Sequence, residues 1–195
     1  DRIESRGLGD VYKRQALCYL MIHQQDPVGL VTFDEKIRNC LPPKSRRSQL
    51  ANILSHLSQL KPAGQTDIAM SLGQLAAMLK QRSLVMVFSD FLTDTPPVFQ
   101  SLRRLRHGGH DVILFHVLDE AEVTFPFDGM VQLHDPESED TLVVEAEGYR
   151  QDYAQEIASF REEYASECRN LGVDYVPLDT SCLLYTSDAA DDSQC

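Results

Sequence analysis

Asp90 closes the run SLVMVFSD, in which five apolar residues, Leu84 to Phe88, give way abruptly to a hydroxyl and a carboxylate. Ligands of open parallel sheets bind just beyond the carboxyl ends of the strands, so a carboxylate at such a stop is a candidate for binding. Thr66, in the GQTD stretch that leads into a helical pattern, falls on the same edge of the expected sheet. A neutral and an anionic oxygen together suit a hard divalent cation such as Mg2+, which takes oxygen donors and keeps several of its waters. The competing explanation is local. Ser, Thr and Asp are favoured at helix N-caps and turns, and both residues could serve there alone.

Other chemistry is sparse. No nucleophile elbow, phosphate loop, dinucleotide fingerprint or zinc spacing occurs between residues 16 and 181, which argues against an enzyme. A hydrolase would have to draw on Asp90 or Asp94 with His116 or Asp119 near the sheet edge, and nothing in the spacing demands it. His107 and His110 in HGGH read as polar residues around a glycine helix stop. Arg103, Arg104 and Arg106 read as the solvated end of an amphipathic helix, where the helix dipole favours cations. His116, inside an apolar strand, reads as a satisfied core or rim histidine, and Phe125 to Phe127 as packing of a hairpin onto the sheet.

The elements that must place Thr66 and Asp90 follow from periodicity. Residues 16–25 read as the last turns of a helix, followed by a strand through Val28, Leu30, Val31 and Phe33 and a second strand stopped by Pro42 and Pro43. Leu50, Ile53, Leu54, Leu57 and Leu60 recur at helical spacing, with Ser45 or Ser48 available as N-cap. Ile68, Leu72, Leu75, Ala76 and Leu79 stripe a second helix behind Asp67. The strand at 84–88, buried on both faces, a helix over 96–107 and a strand over 111–119 complete an alternating series. Such alternation predicts an α/β fold with a mostly parallel sheet and helices on both faces. MVQLHD and DTLVVEA then flank PESE as an inserted β-hairpin, within about 120–146, before a long helix that stops at Gly172 and a last strand, VDYVPLD.

The two ends of the chain have a separate origin in this reading. DVYKRQ, residues 10–15, can be written GAT GTG TAT AAG AGA CAG; the reverse complement, read one base in, encodes the CLLYTS of residues 182–187. One inverted DNA element therefore accounts for both, and it resembles a transposase sequencing adapter. Residues 1–15 and 182–195 are accordingly expected to be adapter translation, leaving residues 16–181 as the domain. The ends carry four of the 18 basic and six of the 30 acidic residues, so the domain keeps a net charge of −10. That charge argues against non-specific nucleic-acid binding. Cys18, Cys40 and Cys168, an odd and unpatterned set, fit a reducing, cytoplasmic setting better than a disulfide framework. No apolar run approaches the roughly 20 residues of a membrane span.

DPVGLVTFDEKIRNCLPP, the GQTD loop, RSLVMVFSDFLTD, LRHGGHDVILFHVLDEAEVTFPFDG and GVDYVPLDTS together resemble the bacterial family called domain of unknown function 58. That family looks like von Willebrand factor A domains and is commonly encoded beside MoxR-type AAA+ ATPases. The resemblance implies a Rossmann-like three-layer sandwich and a non-enzymatic protein-binding module that works with such an ATPase. It also implies a metal-ion-dependent adhesion site, in which Thr66 matches the second loop and Asp90 the third, around Mg2+. The Asp-x-Ser-x-Ser loop and first strand of that pattern are expected ahead of residue 16, and a further helix after Thr180, so the domain reads as truncated at both ends. The alternative is a metal-free scaffold in which both residues only cap helices.

Overall fold

The computed structural model describes residues 18–60, 66–134 and 141–179. Helix α1 (residues 18–23) ends where Gln25 takes a left-handed φ of 65°. Strands β1 (Val28–Phe33) and β2 (Ile37–Lys44) then pair antiparallel. Pro42 and Pro43 lie inside β2 rather than stopping it. A two-stranded ribbon leaves the outer side of each strand without a ladder, so a missing N–H costs little there. The Pro42 carbonyl is satisfied by the buried Gln49 side chain, whose Nε2 donates to it at 3.1 Å and to the Val28 carbonyl at 3.0 Å.

Gln49 belongs to α2 (Arg47–Ser58), whose N-cap is Arg46 with no side-chain hydrogen bond, so neither Ser45 nor Ser48 caps it. Ile53 and Leu57 of this helix meet Ile22, Val28, Leu30 and Leu41 in a small core of their own.

The main core is built on a second sheet. Strands β3 (Leu84–Ser89), β4 (Asp111–Leu118) and β7 (Asp174–Asp179) run parallel in the order β3-β4-β7. Val85 pairs with Val112, Val87 with Leu114 and Ser89 with His116. On that face the sheet packs against α3 (Ile68–Met78), α4 (Thr95–His107) and α6 (Ala146–Leu171) through Ile68, Leu72, Val98, Leu102, Leu105, Tyr164 and Cys168. Asp67 caps α3 as its position predicts, its Oδ1 accepting the Met70 N–H at 2.8 Å.

Burial of β3 on both faces is not observed. Val85 and Val87 are buried, whereas Leu84 is exposed and Met86 and Phe88 are half-buried. The cause is that α3, α4 and α6 share one face; the expected helical layer over the other face is not seen among the described residues. Phe88 and Phe115 stack on that second face, ring centroids 4.5 Å apart.

After β4, Asp119 does not extend the strand but caps the short helix α5 (Glu120–Thr124), its carboxylate and that of Glu122 exchanging hydrogen bonds with each other's backbone. Strands β5 (Met130–His134) and β6 (Thr141–Glu145) form the inserted hairpin. Phe125 and Phe127 pack with Val131, Val144, Ala146 and Tyr153 in a satellite core between hairpin and α6, not on the parallel sheet. Arg150 pins this unit by donating to the Phe125 and Phe127 carbonyls and to Asp128.

Candidate functional site

Asp90 is exposed at the carboxyl end of β3. Its Oδ1 accepts weak hydrogen bonds, at 3.4 Å each, from the Leu92 N–H and the Ser89 hydroxyl. The next residue differs sharply. Phe91 is 1% exposed and has a φ of 53°, a left-handed conformation that costs a non-glycine residue on the order of 1 kcal/mol. Ser89 Oγ accepts its N–H at 3.1 Å; its carbonyl accepts the Thr93 N–H at 2.7 Å and the Tyr164 hydroxyl at 3.5 Å.

The Phe91 ring enters a cage around His116. Phe91, Phe160, Tyr164 and Tyr175 surround the imidazole with centroid distances of 5.3–5.7 Å. His116 is 1% exposed, with Nδ1 2.7 Å from the Tyr175 hydroxyl and Nε2 lacking a hydrogen-bond partner among the described residues. It is thus a core histidine, as its strand position predicts, but one only half satisfied. Burial pushes it down to about 4, against a weaker upward pull from the Asp90 backbone and carboxylate; Arg161 also disfavours the cation. Burial likewise raises the Tyr164 and Tyr175 phenols. The cage is therefore uncharged at neutral pH.

Thr66 is exposed in the residues that lead into α3. Its neighbour Asp67 donates a backbone N–H to the Asp34 carbonyl at 3.0 Å, which ties the start of α3 to the turn after β1. Asp34 itself is held by the Arg38 guanidinium, whose hydrogen bond lowers the carboxyl below the usual range. No hydrogen bond joins Thr66 to Asp90, and no group of three His, Cys, Asp or Glu side chains suited to a metal occurs among the described residues. Thr66 and Asp90 fit a hard cation in part. They offer one neutral and one anionic oxygen, both open to solvent, and an ion held by them would keep most of its water.

The other candidates divide. Asp94 is exposed at the start of α4 and makes no side-chain cap bond. Asp119 is committed to α5. Arg103 pairs with Glu167 at 3.3 Å, and Arg106 with Asp111 at 3.2 Å. His110 is buried at 3% exposure rather than solvated, because the turn through Gly109, at φ 80°, folds it back under α4. The aromatic cage was not legible as a unit. Phe91, Phe160, Tyr164 and Tyr175 lie on three elements, and the one available signal was the polar His116 in an otherwise apolar strand.

A mixed α/β domain with a parallel three-stranded sheet and a polar turn at its carboxyl edge is the class these features define. The chain matches the family model "Protein of unknown function DUF58" over residues 13–163 and belongs to that family. Comparison with curated proteins gave no match. Two solved structures share the architecture. The conserved hypothetical protein BatB from Bacteroides thetaiotaomicron is 15% identical with a TM-score of 0.54, over 87% of this chain and 80% of that one. An aerotolerance-related membrane protein from Bacteroides fragilis NCTC 9343, solved with multiple mutations to serines, is also 15% identical with a TM-score of 0.54, over 88% and 82%. In the present chain no helix among the described residues is long and apolar enough to cross a membrane.

Proposed function

We propose that this domain is a cytoplasmic, non-enzymatic protein-binding module of von Willebrand factor A type, working with a MoxR-type AAA+ ATPase, and that its carboxyl sheet edge binds its partner through a cation at Asp90 and Thr66. The observation that carries the binding edge is the Asp90 turn. An exposed carboxylate, without a cationic side chain paired to it among the described residues, sits on a backbone fixed by a strained and fully buried neighbour. Strain of this kind persists where the surrounding structure over-determines it, and it concentrates at functional sites. Asp90 and Thr66 would supply two oxygens to Mg2+, and a carboxylate of the partner protein would replace one of the remaining waters. The ATPase and the adhesion mode come from family resemblance. The fold neighbours support the architecture, and at 15% identity the aerotolerance description of one of them lends this chain no role.

Calorimetric titration with Mn2+ or Mg2+ tests the edge. Asp90→Ala is expected to abolish saturable binding and Thr66→Ala to weaken it, with thermal stability unchanged within about 0.5 kcal/mol because both side chains are exposed. Equal affinity in Asp90→Ala would remove Asp90 from the site, and no saturable binding in the wild type would leave a metal-free scaffold as the working description.

A further inference from the structure

We propose that Phe91 is the positioning residue for Asp90: its caged ring fixes the turn, and so the direction in which the carboxylate is presented. The inference rests on Asp90 as a cation ligand and adds how that ligand is held. Asp90 lies between two anchored neighbours. Ser89 ends a strand in register with His116, and its hydroxyl holds the Phe91 N–H at 3.1 Å. Phe91 is locked from three directions: the Thr93 N–H and the Tyr164 hydroxyl on its carbonyl, the nearly perpendicular ring of His116 with centroids 5.4 Å apart, and the ring of Tyr164 with centroids 5.2 Å apart. Its positive φ turns the chain sharply at the residue after the carboxylate. The buried ring thus does for Asp90 what an outer hydrogen bond does for a metal-bound histidine, since a ligand already oriented loses less freedom on binding. Tyr164 extends the control to α6, so the helix and the exposed carboxylate are mechanically joined through one side chain.

Phe91→Gly removes the ring without straining the turn, because glycine adopts a φ of 53° freely, and Phe91→Asn, which also tolerates that φ, removes the ring with less added backbone freedom. Mn2+ titration of the full chain, read by calorimetry, and amide exchange of Leu92, Thr93 and β4 are the measurements. The expected result is affinity lowered about tenfold, as for loss of a supporting residue around a metal, with Leu92 and Thr93 exchanging faster and β4 still protected. Wild-type affinity alongside faster Leu92 exchange overturns the proposal. Should Phe91→Gly lose β4 protection as well, Tyr164→Phe takes over: it deletes only the hydroxyl on the Phe91 carbonyl. A lowered affinity there supports positioning, and an unchanged one overturns it. Asp90→Ala separates the two levels. If it binds Mn2+ like the wild type, the cation site itself falls; if it alone loses binding while the anchor variants keep it, only the positioning role falls.

Discussion

The two edges of the parallel sheet treat their carboxylates in opposite ways. At the amino edge Asp111 is bracketed by guanidinium groups, Arg82 at 3.0 Å and Arg106 at 3.2 Å, and these hydrogen bonds hold its carboxyl below the usual range. At the carboxyl edge, among the described residues, Asp90 accepts only from its own turn. Beneath Asp111 lies an ordinary helix-end turn; beneath Asp90 lie a strained phenylalanine and three further aromatic rings around a buried histidine. One edge neutralises its charge and the other displays it. Charge that stability does not use is where binding is to be sought.

Cutting the support of the displayed edge should have the largest effect. Tyr164 is fully buried against Phe91, Phe99, Phe160 and His116, so Tyr164→Ala is expected to cost about 3–5 kcal/mol in urea unfolding. A cost below about 1 kcal/mol would mean that the cage is not what holds this edge.

Acid should act next. His116 is held near 4 when folded, below its ordinary value of 6.5, so the folded state favours the neutral ring. Its contribution is complete above about pH 6.5 and is lost as pH falls towards 4, where the unfolded chain binds the extra proton; the span is worth about 3 kcal/mol. Unfolding midpoints measured across this window should fall for the wild type and stay flatter for His116→Phe. The smallest effect belongs to the neutralised edge. Asp111→Asn removes two ion pairs of a half-exposed carboxylate, so a slight fall in Tm at low salt should vanish at high salt. A large, salt-resistant loss would erase the contrast between the edges.

Much of this scaffold was legible in the sequence, and the failures share a cause. Strand β1, strand β3, the Asp67 cap and the Gly172 stop were each set by a few neighbouring residues, and they stand where periodicity placed them. What depended on the third dimension was missed. A run such as Leu84 to Phe88 cannot say how many of its faces a helix will cover. Pro42 and Pro43 read as a stop because the ribbon's free outer side is invisible in one dimension. Asp90 was legible as a strand-end carboxylate, but its support was not, since Phe91 carries no mark in sequence of a positive φ. Ser45 and Ser48 fitted the composition of a cap, and Arg46 occupies the position through its backbone alone.

Arg106 bears on how the opposite end of the molecule comes apart. Its guanidinium donates to the His110 carbonyl at 2.6 Å, to Asp111, and to the Leu171 carbonyl at 3.4 Å, and it lies over the left-handed Gly172. Two glycine-closed helix ends are thereby knotted to one side chain, through a hydrogen bond between residues 65 apart in the chain. Neither turn can fray without taking the other's hydrogen bonds with it. The stops of α4 and α6 therefore belong to a single cooperative unit, and a disturbance at one reaches the start of β4 and of β7 together.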